Sequence, residues 1–172
     1  MDLGLKGKVA LVAASSKGLG KASALALARE GARVTICART EADLEAAAEE
    51  IRRETGAEVL AVQADLTNGI RPGIAGLMKA IMPELAKDGI TINLVLPGMF
   101  LTSRISPGAG RSPEADKTLA AQFAPLAATI PLGRLGEPIE LGNLVAFLAS
   151  QQASYITGAA YQVDGGNIKS NL

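Results

Sequence analysis

An α/β fold built on one doubly wound parallel sheet is predicted by three features of the sequence. Short apolar runs alternate with helix-like stretches through the first third of the chain. A Gly-x-Gly turn, Gly18-Leu19-Gly20, joins the first such run to the first helix. Capping residues, with Gly31, Gly56 and Pro138 the clearest, mark where helices stop and start. Strands separated by helices of this length imply right-handed crossovers and therefore parallel pairing.

Taken in order, Val9 to Ala14 suits a strand buried on both faces. Lys21 to Glu30 carries Ala22, Leu25 and Ala26 at helical spacing and stops at Gly31. Arg33 to Ala38 reads as the second strand. Thr40 is placed to cap the next helix, with Asp43 three residues on and a stop near Gly56. Glu58 to Gln63 reads as the third strand, ending at Ala64-Asp65. A helix from about Gly73 to Lys87 leads into a strand from Thr91 to Leu96 and a turn at Pro97-Gly98. Thr102 to Pro113, rich in Ser, Gly and Pro, reads as a mobile loop. Ser112-Pro113 then caps a helix running through Leu119 and Phe123. Glu137-Pro138 starts another helix, with Leu141, Leu144, Val145 and Leu148 as its apolar stripe, and Ala160 to Val163 is a last strand.

Composition narrows the chemistry. The 172 residues, 48% of them apolar, suit one domain spanning 1–172. Lysine and arginine (17) balance aspartate and glutamate (17) with no block of like charge, so nothing marks a nucleic-acid or anionic-membrane partner. No apolar run approaches the ~18 residues of a membrane span, and the first residues lack the regions of a signal peptide. The absence of histidine removes imidazole bases, Ser-His and Cys-His pairs and most zinc sites. The single Cys37 excludes an intrachain disulfide and fits a reducing compartment. A cytoplasmic protein is expected.

Glycine lets a backbone approach a pyrophosphate, and free N–H groups at the following helix start favour its charge. The stretch from Gly7 through Ser15, Ser16, Lys17, Gly18, Leu19 and Gly20 resembles the cofactor loop of the short-chain dehydrogenase/reductase family, T-G-x-x-x-G-x-G. Pro97-Gly98-Met99-Phe100-Leu101-Thr102 is similar to that family's P-G-x-x-x-T segment. Ile130 to Pro138, Tyr155 to Gly158 and Val163 to Gly166 resemble further family stretches, in the family's order. The resemblance implies cofactor contacts from Ser15 to Gly20 and from Pro97, Gly98, Met99 and Thr102. It also implies that Asp65, with Leu66 beside it, receives the adenine amino group. One departure lies in the loop itself, where Ala13 and Ala14 stand in the Thr-Gly slots. If position 14 requires positive φ, alanine is strained there by ~1 kcal/mol; if not, its methyl only crowds the adenosine side.

Arg39 follows the second strand, where a basic residue meets a ribose 2′-phosphate and an acidic one a free 2′-hydroxyl. Lys17 adds a second cation, so NADP(H) is expected, with NAD(H) as the alternative.

The family's catalytic pattern is missing. Ala159 stands four residues after Tyr155, and Gly165 four after Tyr161, so neither tyrosine forms Tyr-x-x-x-Lys. Both are expected to pack near the last strand. Aligning Gly76-Leu77 with the family's active-site helix sets Thr67 in the tyrosine slot and Arg71 in the lysine slot. Arg71 can hold a ribose hydroxyl or an anion but cannot shuttle a proton. A junction near residues 66–68 is thus expected, with two strand–helix units, roughly 60–90 residues, absent between its sides. Either these residues are the ordered part of a longer chain, numbered continuously across a gap, the favoured reading, or a real deletion leaves five strands in the family order 3-2-1-6-7. The resemblance implies hydride transfer between NADP(H) and a small-molecule carbonyl or secondary alcohol, nearest in pattern to 3-oxoacyl-carrier-protein reductases. It further implies a homo-oligomer, dimer or tetramer. A catalytically inactive nucleotide-binding or interaction protein on the same fold is the competing reading.

Overall fold

The computed structural model describes residues 2–63, 74–102 and 121–168. Strand β1 (Val9–Val12), helix α1 (Gly18–Arg29), β2 (Arg33–Ala38), α2 (Glu41–Thr55) and β3 (Val59–Gln63) alternate as expected. Then come α3 (Ile74–Lys87), β4 (Leu94–Pro97), helical residues 121–127 (α4), α5 (Pro138–Leu148), a 3-10 turn at Gln151–Ala153 and β5 (Ala160–Val163). The loop expected between Thr102 and Pro113, beyond Thr102 itself, and the Ser112-Pro113 cap lie outside the described residues, as does the junction at 66–68.

Among the described residues every strand pairing is parallel. β2 lies between β1 and β3, with Ala10 opposite Val34 and Val34 opposite Val59. Alternation turns Val34 and Ile36 toward α1 and α2, where they join Leu27, Leu44, Ala48 and Ile51 in the core. Full burial of each aliphatic side chain there contributes about 1.5–3 kcal/mol. The sharp stop of α2 comes from Gly56, whose φ of 68° lets its N–H reach the Arg52 carbonyl at 2.8 Å. Thr40 occupies the expected cap position of α2 but accepts no side-chain capping bond. α5, by contrast, opens with a reciprocal box in which Glu137 and Glu140 each satisfy the other's backbone N–H.

The sheet departs from the five-strand alternative, 3-2-1-6-7, in its continuity. Among the described residues, β4 pairs only with β5, and the β1–β2–β3 and β4–β5 sheets remain separate. β4 is held from the other side of its approach: Asn93 donates to the Ile156 carbonyl at 2.8 Å and accepts from the Ala159 N–H at 3.2 Å. No described strand lies between β1 and β4, so the five-strand sheet does not close. Nor is β1 buried on both faces. Val9 is 67% and Leu11 74% exposed, and the register sets them on one face with Leu60 and Val62 of β3, which are exposed too.

What unites the two sheets is α5 lying against α1. A Cβ at Gly142 would sit 2.6 Å from the Ala22 carbonyl oxygen, so only glycine permits this approach. Leu141, Ala146 and Leu148 are buried alongside, and Ala146 belongs to the same core as α1. Part of the expected apolar stripe of α5 is therefore spent inside the molecule.

Candidate dinucleotide site

The turn from β1 to α1 is held by Ser15. Its side chain is fully buried, and its hydroxyl donates to the Val12 carbonyl at 2.6 Å and accepts from the Cys37 N–H at 3.1 Å. Its own N–H donates to the Cys37 carbonyl at 3.0 Å. Through these groups Ser15 locks the loop to the end of β2. Ser16, next along, is half-buried.

The first-glycine question has an answer. Ala14 has φ of 52°, the one positive φ outside glycine among the described residues. A left-handed alanine costs about 1–2 kcal/mol, because its Cβ crowds the following carbonyl. Gly20 answers a different need, since a Cβ there would lie 2.4 Å from the Ala14 carbonyl oxygen. The loop therefore folds back so tightly that α1 begins directly against it.

That helix start is bare. Lys17 occupies the cap position without a side-chain capping bond, and the first turn holds no acidic residue. The N–H groups of Gly18, Leu19 and Gly20 have no intrahelical partner, which makes this end a natural anion seat. Thr102 arrives from the other sheet to meet it: a Cβ at Gly18 would stand 3.5 Å from the Thr102 Cγ2. Gly18 and Thr102, expected from separate motifs, thus share one place. Pro97 ends β4, and the Gly98 N–H donates to the Val163 carbonyl at 2.9 Å, tying that segment to β5. The Met99 carbonyl receives the Gly136 N–H at 2.9 Å, while Phe100 is buried beneath Gly136. Met99, Phe100, Leu132, Arg134 and Asp164 line a small cavity of about 100 Å³.

Two cations stand where the ribose is expected to be read. Arg39 directly follows β2 and is exposed, its carbonyl receiving the Gln63 side-chain amide at 2.9 Å. The Lys17 ammonium reaches across to the Asp43 carboxylate of α2 at 2.6 Å. Sequence reasoning assigned Asp43 to capping and missed this pair, because nothing local links positions 26 residues apart. Asp65, Leu66 and Arg71 lie outside the described residues. Tyr155 does not pack near the last strand; it is fully exposed, since the turn after Gln151–Ala153 points its ring to solvent. Tyr161 lies within β5 and is half-buried. Among the described residues no cluster of acidic, cysteine or histidine side chains could hold a metal, and no helix is long and apolar enough to cross a membrane.

At the far wall, Arg134 grips both carboxylate oxygens of Glu140, at 2.8 and 2.7 Å, and the Glu137 N–H adds a third bond at 2.7 Å. The guanidinium first, then that N–H, hold the Glu140 carboxyl down at about 2.

A parallel α/β layer with a bare, glycine-lined helix start at the strand ends defines a dinucleotide-binding fold. Residues 8–70 match the short chain dehydrogenase family model, and residues 69–167 match the related model described as enoyl-(acyl carrier protein) reductase. The chain belongs to the short-chain dehydrogenase/reductase family. It is 44% identical over 92 residues to a 3alpha-hydroxysteroid dehydrogenase of Mediterraneibacter gnavus, covering 54% of this chain and 33% of that one. It is 41% identical over 96 residues to a 3-oxoacyl-(acyl-carrier-protein) reductase of Rickettsia felis, covering 56% and 36%. The chain thus matches about a third of the length of these curated relatives. L-sorbose reductase from Gluconobacter frateurii, solved with NADPH and L-sorbose, shares the fold at a TM-score of 0.84 and 22% identity, over 99% of this chain and 100% of that one.

Two outcomes follow from this geometry. Replacing Ala14 with glycine relieves the left-handed strain, offset in part by the freer unfolded chain, and raises the thermal midpoint by about 1–4 °C. An unchanged or lower midpoint would contradict the strain. Glu140 titrates far below its ordinary 4.5 in the folded state, so its contribution is complete above that value and lost as pH falls through about 2. With both partners well exposed the effect is modest. Glu140→Gln lowers the urea midpoint at neutral pH, and its gap from the parent narrows through that acid window. A gap constant with pH would show that the carboxylate charge is not the cause.

Proposed function

We propose that the protein is an NADP(H)-dependent oxidoreductase that moves hydride between the nicotinamide and a carbonyl or secondary alcohol. The observation that carries this reading is the meeting of Gly18 and Thr102 at the bare start of α1. The residues fit the group. The Gly18–Gly20 N–H groups receive the pyrophosphate, Arg39 and Lys17 receive the 2′-phosphate, and Thr102 with the Pro97–Met99 backbone steadies the carboxamide side. Asp65 and Leu66 complete the adenine end. When bound, the nicotinamide supplies or accepts the hydride. Ser15 and the Ala14 turn hold the loop fixed against the end of β2, while Met99 and Phe100 wall the substrate side against water. Arg71 holds a ribose hydroxyl or an anionic substrate group, being unable to move a proton at neutral pH. Family membership and the likeness to a reductase solved with NADPH support this reading. Substrates of the 3-oxoacyl-carrier-protein class fit the Rickettsia relative.

The chain reads as one domain interrupted near residues 66–68, where strand–helix units are lacking. In support, the two family models meet at residues 69–70, and among the described residues β1 pairs only with β2. The buried, unpaired Cys37 suits the cytoplasm. Leu144 and Phe147, half-buried on α5, suit a homo-oligomer.

One observation favours the second reading, a nucleotide-binding protein without turnover: neither tyrosine is followed by lysine at the fourth place, and Tyr155 is fully exposed. Direct titration separates the readings. NADPH binds more tightly than NADH, and NADPH is oxidised by at least one ketone of a panel; binding without oxidation would favour the second reading, and tighter NADH would overturn the cofactor assignment.

A further inference from the structure

The cation expected to read the 2′-phosphate is already engaged. Lys17 Nζ lies 2.6 Å from Asp43 Oδ2, and the two side chains are 58% and 38% exposed. Asp43 stands in the first turn of α2, four residues beyond Arg39, so the pair closes over the end of β2 where the ribose would be read. It is the first rung of a ladder. Lys21 meets Glu50 at 2.8 Å and Arg29 meets Glu54 at 2.9 Å, again from α1 to α2. Those rungs, with Leu44, Ala47, Ala48 and Ile51 buried beneath, fix α2 independently of Lys17. The helix turn that carries Asp43 is therefore held in place whether or not Lys17 stays on its carboxylate.

We propose that Asp43 is a specificity-determining residue that competes with the cofactor 2′-phosphate for Lys17 and thereby weakens NADPH without affecting NADH. This rests on the NADP(H) reading above. An exposed pair of this kind is weak, and a phosphate group of nearly two negative charges displaces a single carboxylate. One consequence remains for the bound phosphate: Lys17 must leave Asp43 to reach it, and the cost of opening that pair is subtracted from its affinity. Glu41 shares the same helix turn and adds to the local negative charge, while Arg39 opposes both. A ligand lacking the 2′-phosphate leaves the Lys17–Asp43 pair closed and gains nothing from its removal.

The test is fluorescence titration of NADPH and NADH into the full chain carrying Asp43→Asn, with Asp43→Ser as a second variant that also suits a helix first turn. Glu50→Gln removes the same charge one rung further away. Either Asp43 variant tightens NADPH by about two- to fivefold with NADH unchanged, the gain shrinking at high salt. The gain disappears when Lys17→Met is added, and Glu50→Gln gives less than half of it. Unchanged or weaker NADPH binding in both Asp43 variants, with the parent still preferring NADPH, overturns the role of Asp43 alone. Equal tightening of NADH, or a gain that survives Lys17→Met, overturns it too, by showing a general charge effect. A parent that prefers NADH overturns instead the cofactor reading on which the proposal rests.

Discussion

The close approach of α1 and α5 carries more of this structure than any single strand pairing. With Ala22, Ala24, Ala26 and Ala28 buried along α1, and Gly142 against the Ala22 carbonyl, the two helices meet almost backbone to backbone. Interiors are packed like crystals, so so short a separation admits one relative position of the helices rather than a range. That position brings the β4–β5 half to the β1–β2–β3 half although no described strand bridges them. Thr102 comes to Gly18 as a result. A site assembled from two sheets is thus registered by a helix contact behind it.

The same economy of space explains the loop. Gly20 must be glycine because the chain folds back on Ala14, and Ser15 must be small and polar because it sits in a fully buried notch between Val12 and Cys37. Ala14 is the exception, a left-handed alanine kept where the backbone would be better served by glycine. Strain held at a ligand loop is tolerated when the surroundings over-determine it, and the Ser15 bonds to both strands supply that determination here.

Much of the fold was legible because local signals agree with global ones. Gly31, Gly56 and Pro138 mark helix ends through backbone geometry that a sequence displays directly, and Val34, Ile36 and Ile51 follow from alternation and helical spacing. The motif order likewise foretold the family and brought Gly18 and Thr102 under one heading. What was not legible depends on neighbours. Val9 and Leu11 have the composition of a doubly covered strand, yet their exposure is decided by what covers that face of the sheet, which periodicity does not encode. The sign of φ at Ala14 depends on how closely Gly20 returns. Lys17 and Arg39 were found by their places in the motif, whereas the Asp43 partner arises from helix packing across distant positions. Tyr155 carries an aromatic ring that composition sends inward and a turn sends outward.

The central claim is that both halves of the chain hold one dinucleotide. Amide hydrogen exchange with and without saturating NADPH tests it most directly. Slowed exchange in both the Ser16–Gly20 loop and the Gly98–Thr102 segment, with β3 unaffected, is the result this account predicts. Protection confined to the loop, or absent from both segments, would contradict it.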